Sequence, residues 1–229
     1  IYLQLRDIYP ESALLESSDF HTGEDSTSFI GIRPLINFSV NNSTFTVTTP
    51  DHKKEDFSVK TGKDISTVLN KFIADINVTG THADECGLFG FTSFNDVRYF
   101  EQINVKDTHD KHNDAPEMLY ILYKYTLIFN HFKNTLSLVE LLEDGEESRL
   151  NDLEQILNNN NYPSYNFHRV GEETSNVTDE EYKEYVRNGV SHCKRGDVFQ
   201  IVLSRRFIQN YSGDDFKVYR ALRYINPSP

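Results

Sequence analysis

The sequence predicts an α+β fold in which largely antiparallel β-sheets pack as a sandwich with helices outside. Three observations lead there. Residues 12–49 alternate apolar runs with Ser, Thr and Asn clusters in the manner of short strands joined by turns. Two long β-rich runs, MLYILYKYTLIFNHF and TLSLVELL, stand a short turn apart. Four other segments carry apolar residues at helical spacing.

Taken in chain order, SALLESSD, SFIGIRPLINFSV and STFTVTT are separated by the turn formers HTGEDS and NNS, which predicts a β meander. DISTVLNKFIADI places Ile65, Val68, Leu69, Phe72, Ile73 and Ile76 on one helical stripe behind an Asp64 cap, so an amphipathic helix is expected across a sheet face. In GLFGFTSFNDVRYFE, Gly87 and Gly90 lie inside an aromatic-rich strand pattern and predict a bulge or close backbone approach. The two long runs form a hairpin turning around Lys133 and Asn134, its first strand apolar enough to be central. A charged helix over 146–160 carries Leu150, Leu153, Ile156 and Leu157 on one side. The Asn-rich NNNNYPSYN that follows marks the domain boundary, with a first domain over 1–165 and a second from 166 to 229.

TDEEYKEYVRNGVSHCKRGD opens with a capping box between Thr178 and Glu181, has acidic residues where the helix dipole is positive, and closes at Gly196. GDVFQIVLSRRF, residues 196–207, is expected to be a strand. Its alternation puts Gln200, Ser204 and Arg206 on one face and Phe199, Ile201, Leu203 and Phe207 on the other. A turn through Tyr211 to Gly213 then leads to a helix starting at Asp214 or Asp215 and carrying Phe216, Tyr219 and Leu222.

With 23 Lys and Arg against 35 Asp and Glu, the formal charge of -12 repels phosphate backbones and anionic membrane surfaces. Nucleic acid and membranes are therefore not expected partners. No apolar run approaches the roughly 18 to 20 residues that cross a bilayer, and the first residues lack a signal-peptide layout, so a soluble cytoplasmic protein is expected. Cys86 and Cys193 have no neighbours at metal-site spacing and read as reduced, mostly buried thiols. The common enzyme signatures, among them HExxH, GxGxxG, GxxxxGK[ST] and GxSxG, are absent. HDKH at 109–112 reads as a surface loop. EDGEE at 143–147 and DEEY at 179–182 could bind a divalent cation but read more simply as a turn and a helix start. The chain begins at Ile1 and ends on NPSP with neither a cap nor a closing strand, and is expected to be a piece of something longer.

Four segments carry a resemblance. LLESSD at 14–19, GLFGFTSFNDVRYFE at 87–101, GDVFQIVLSRRF at 196–207 and FKVYRALRYINPSP at 216–229 resemble the LLES, GLxGYxxYDxVRYFE, GDxFQVVLSRRF and YRALRxINPSPYMF segments of the anthranilate synthase component I family. The resemblance implies an enzyme that converts chorismate and ammonia to anthranilate and pyruvate in tryptophan biosynthesis. It also implies Mg²⁺, a glutamine amidotransferase subunit supplying the ammonia, and feedback inhibition by tryptophan. Members of that family are longer, and their Mg²⁺ carboxylates, substrate-grasping cations and acid-base His are expected mostly beyond NPSP. Residues 166–229 would then be the incomplete start of the chorismate-binding domain, with no catalytic, cofactor-binding or metal-ligating residue in this chain, which by itself is expected to be inactive. Phe199, Ile201, Leu203 and Phe207 are accordingly expected to lack partners.

The resemblance places Gln200 near the active site. In isochorismate and salicylate synthases, which share the scaffold, the matching residue is a Lys that activates water. A neutral amide has no proton-accepting state near neutral pH, so Gln200 implies ammonia as the nucleophile. Aminodeoxychorismate synthase component I, the folate-pathway cousin, also carries Gln here, whereas LSRRF and INPSP resemble the tryptophan branch. For the inhibitor, the resemblance implies polar contacts from Glu16 and Ser17 and an indole wall beginning at Pro229. A buried ammonium needs a carboxylate partner, and Glu16 supplies one. Where a common member has a Lys, residues 26–29 read STSF. Without the resemblance, Glu16 and Ser17 read as edge-strand polar groups and Gln200 as a sheet hydrogen bonder. The alternatives are the folate-branch enzyme and a stand-alone amino-acid-binding regulatory module.

Overall fold

The computed structural model describes residues 1–16, 26–103, 105, 115–159 and 162–226. They fall into two compact units, Ile1–Pro163 and Ser164–Pro227.

In the first unit a short helix α1 (Tyr2–Leu5) precedes strands β1 (Ala13–Leu15), β2 (Thr27–Asn41), β3 (Thr44–Thr48) and β4 (Lys54–Ser58). Helix α2 (Gly62–Ala74), strand β5 (Leu88–Thr92), helix α3 (Val97–Phe100), strands β6 (Met118–Asn130) and β7 (Thr135–Glu140) and helix α4 (Leu150–Asn158) follow. All seven strands join one antiparallel sheet. Its spine is the β2–β6 pair, in register from Thr27↔Asn130 to Val40↔Met118. β1 and β3 share the outer edge of β2, and β5 and β7 share the outer edge of β6. The meander and the central hairpin strand are as the sequence implies.

Among the described residues of the first unit, no second sheet faces this one. β6 runs without a bulge, so alternation points Met118 and Tyr120 to one face and Tyr125 and Leu127 to the other. The first pair belongs to a core with Phe38, Val40, Phe45 and Val47, closed by Val68, Leu69 and Phe72 of α2. The second belongs to a core with Ile32, closed by Leu5 of α1 and Leu153 of α4. Helices thus take the place of a facing sheet, on opposite faces at opposite ends. β2 stays in step because its register shifts between Pro34 and Ile36, beside Arg33 at φ 60°.

Local chemistry explains the boundaries. Thr61, not Asp64, caps α2: Thr61 N–H donates to Asp64 Oδ2 at 2.9 Å while Asp64 N–H donates back to Thr61 Oγ1 at 3.3 Å. Gly90 makes the close approach expected of it, since a Cβ there would collide with the Leu119 carbonyl, whereas the space around Gly87 is open. After β5 the motif turns helical, with Ser93 N–H donating to Asp96 Oδ2 at 3.0 Å. α4 starts at Leu150 and not at 146, because Glu146 is occupied in a turn, accepting from Lys124 Nζ and from Glu143 N–H.

The second unit contains β8 (His168–Ser175), α5 (Asp179–Arg195), β9 (Phe207–Ser212) and α6 (Phe216–Ile225). The capping box of α5 forms as expected: Thr178 N–H donates to Glu181 Oε2 at 2.7 Å, Glu181 N–H donates to Thr178 Oγ1 at 3.3 Å, and Gly196 ends the helix at φ 80°. The strand expected over 196–207 is not formed. Residues 197–206 have no regular structure, and the strand, paired with β8, begins only at Phe207 and runs past Tyr211. A strand needs a hydrogen-bonded neighbour, and among the described residues none pairs with 197–206. Ile201 and Leu203 lie near Gly189 of α5, while Phe199 is fully exposed. No helix among the described residues is long and apolar enough to cross a membrane.

Candidate functional site

The candidate site lies where β1 ends. Leu14 pairs with Ile30 and Leu15 with Phe29, so Glu16, one residue on, comes level with Ser28. Alternation then puts Glu16, Ser26 and Ser28 on the face that carries Leu14, Ile30 and Ile32, and puts His131 on the same face as Tyr125 and Leu127 of β6. The contacts agree with that placement. Ser28 Oγ lies 2.7 Å from His131 Nε2, and the His131 backbone N–H donates to the Ser26 carbonyl at 2.9 Å. The His131 ring also meets Phe129 edge-on at 4.7 Å between centroids.

This is a polar end to an otherwise apolar core. Ser26 is 9 % and Ser28 6 % exposed, and Glu16 is half-buried. The Ser26 hydroxyl is buried without a hydrogen-bond partner. Such an orphan costs on the order of 1 to 3 kcal/mol, which is why buried hydroxyls are almost always paired.

Of the residues singled out from sequence, Ser17 and Pro229 lie outside the described residues. Glu16 belongs to the first unit and Gln200 to the second, where Gln200 is exposed on the irregular segment after α5. The two that are described, Glu16 and Gln200, thus fall in different units. Ser26, Ser28 and His131 were missed. Two serines spaced at i and i+2 at the head of an apolar strand were the one local signal, and nothing local ties them to a histidine 103 residues beyond Ser28.

Other polar groups have structural duties. Asp96 is fully buried, burial pushes its carboxyl up, and it caps the turn after β5. Glu117 accepts from Arg98 and, at 2.8 Å, from the Tyr99 hydroxyl, tying α3 to the start of β6. EDGEE is the turn that lays Glu146 on Lys124, itself only 5 % exposed. DEEY is a helix start, with Asp179 accepting from Arg205 at 2.6 Å. Among the described residues no three His, Cys, Asp or Glu side chains group so as to hold a metal ion. HDKH lies outside the described residues. Cys86 and Cys193 are half-buried free thiols, and burial raises the pKa of Cys86.

Comparison with known proteins places this geometry. The model of the chorismate binding enzyme family matches residues 33–229, most of the chain and parts of both units. The chain belongs to the chorismate binding enzyme family. Among relatives of this family, anthranilate synthase component 1 of Thermus thermophilus is 30% identical over 238 residues, covering 100% of this chain and 48% of that protein. The chloroplastic anthranilate synthase alpha subunit 1 of Arabidopsis thaliana is 34% identical over 166 residues, covering 62% of this chain and 28% of that one. The solved structure of anthranilate synthase component I from Streptococcus pneumoniae has the same fold, at TM-score 0.59 and 20% identity over 91% of this chain and 47% of that chain. This member of the chorismate binding enzymes spans about half the length of the curated relatives that it matches end to end, and Glu16 and Ser26 lie ahead of the stretch that the family model covers.

Proposed function

We propose that this chain is the N-terminal half of an anthranilate synthase component I, a cytoplasmic Mg²⁺-dependent lyase that adds ammonia to chorismate and eliminates pyruvate to leave anthranilate. The observation that carries the reading is end-to-end similarity to a protein named anthranilate synthase component 1. Gln200 supports amination over hydration, because an amide cannot deprotonate water as a Lys can. In this reading the Mg²⁺ ligands belong to the other half of the protein, and a glutamine amidotransferase subunit delivers the ammonia. Residues 166–229 open the chorismate-binding domain, while residues 1–165 hold the regulatory half-site, in which Glu16 offsets the desolvation of the tryptophan ammonium.

The test is an assay of the full-length protein with chorismate, Mg²⁺ and ammonia. Anthranilate fluorescence together with released pyruvate is expected. Accumulation of an aminated product with the enolpyruvyl group still attached would assign it to the folate branch, and no turnover of chorismate would sink the enzyme reading.

A further inference from the structure

We propose that Asp96 is a proton-operated clasp: as a neutral acid it lets α3 lock onto the start of β6, and once charged it lets that helix go. Asp96 lies in the turn between β5 and α3, 0 % exposed, and its Oδ1 has no hydrogen-bond partner among the described residues. Its Oδ2 accepts the Ser93 N–H at 3.0 Å, and that same N–H also serves the Glu117 carbonyl at 2.8 Å. Asp96 therefore hangs from the strand end to which α3 is tied. The tie is made by side chains: Arg98 and the Tyr99 hydroxyl both donate to the Glu117 carboxylate, and the Ser43 N–H donates to the Tyr99 hydroxyl at 3.1 Å. One guanidinium stands beside two carboxylates. The other charged groups at this corner are Lys60 and Lys63, across a cleft from Arg98, and Glu101 after α3, while Asp64 is taken up by its own capping box.

A buried carboxylate with an unpaired oxygen is costly when charged and tolerable when neutral. Burial first, and then the Glu117 charge, push the Asp96 carboxyl above its ordinary 3.8 against the pull of Ser93 and Arg98. The folded protein thus holds this proton more tightly than the unfolded chain does. The stability it lends is complete below pH 3.8 and is lost as pH rises through the higher folded value. Admitting water to Oδ1 relieves that loss, and the adjoining element that can move to admit it is α3, four residues long. Its movement would also lift the Phe100 ring from Gly62, where a Cβ would collide with that ring, and so open the cleft between α3 and the head of α2.

The experiment follows hydrogen exchange of the full-length protein from acid to neutral pH, expressed as protection factors so that the intrinsic pH dependence of exchange is removed. The reporter is the Glu101 amide, which donates to the Val97 carbonyl at 2.8 Å across α3. Its protection is expected to fall on the order of tenfold as pH rises through the Asp96 titration, the worth of one hydrogen bond to a charged group. Asp96→Asn, neutral and of nearly the same shape, should keep the high protection at every pH. Ser93→Ala decides the matter if that variant does not fold: without the Ser93 hydroxyl the carboxyl keeps its proton to higher pH, so the fall should move upward. A fall that survives in Asp96→Asn, or one that Ser93→Ala leaves in place where Asp96→Asn does not fold, would overturn the clasp. So would a Glu101 protection factor that stays flat with pH in the wild type.

Discussion

Two apolar stretches of this chain, YILYKYTLIF at 120–129 and VFQIVL at 198–203, have similar β-rich compositions and opposite fates. The first is the middle of β6, where Leu122 to Ile128 are buried without a break. The second is irregular, with Phe199 fully exposed and Val202 82% exposed. Propensity does not separate them. β6 has β2 on one edge and β5 and β7 on the other, plus a helix-closed core on each face, whereas 197–206 has no paired strand among the described residues. Strand formation in this protein follows from satisfied edges, because an extended backbone without a ladder loses entropy and gains no hydrogen bonds.

The contrast can be broken most sharply by removing apolar mass from each stretch. Leu127→Ala, at 1% exposure, should cost about 3 kcal/mol in urea unfolding, whereas Phe199→Ala should change stability by no more than about 0.5 kcal/mol. Equal costs would mean that 197–206 is packed in solution.

Charge sharpens the comparison next. Lys124 holds the Glu146 carboxylate below its ordinary value of 4.5, with the Glu143 amide as the second cause, and Arg205 holds Asp179 below 3.8. Both carboxylates have depressed values when folded. Each therefore contributes stability that is present above its ordinary value and lost as pH falls through the lower folded one. Lys124 is buried and Asp179 is a surface group, so Glu146→Gln should flatten the acid limb of a stability–pH profile much more than Asp179→Asn. A larger effect from Asp179→Asn would reverse the ranking of the two units.

The smallest effect is a local one. Thr178→Ala removes the cap of α5 and should cost about 1 kcal/mol, read as faster amide exchange in the first turn of that helix. Exchange unchanged in that turn would show that Glu181 alone holds the helix start.

Legibility followed the range of the interaction. The α5 box, Gly196 and the 131–134 hairpin turn were readable because their partners sit within a few residues. The stripe of α2 was readable because any apolar face must be buried somewhere. The helices that close the two cores were not readable, because a strand's alternation says that a face is covered and not what covers it. Leu5 and Leu153 complete a core with Leu127 from opposite ends of the first unit. At the site, LLES and GDVFQIVLSRRF pointed to Glu16 and Gln200 through resemblance, while Ser26 and His131 needed the β2–β6 register to meet.

By itself the sequence determined the local elements, the negative charge and a family resemblance, since these rest on composition, spacing and capping within short windows. Only the tertiary structure decided which apolar runs became strands, that helices rather than a second sheet close the two cores, and that a buried serine stands beside a histidine from the far end of β6. Those outcomes depend on pairing between distant segments, and pairing energy is a property of two surfaces together that neither carries alone.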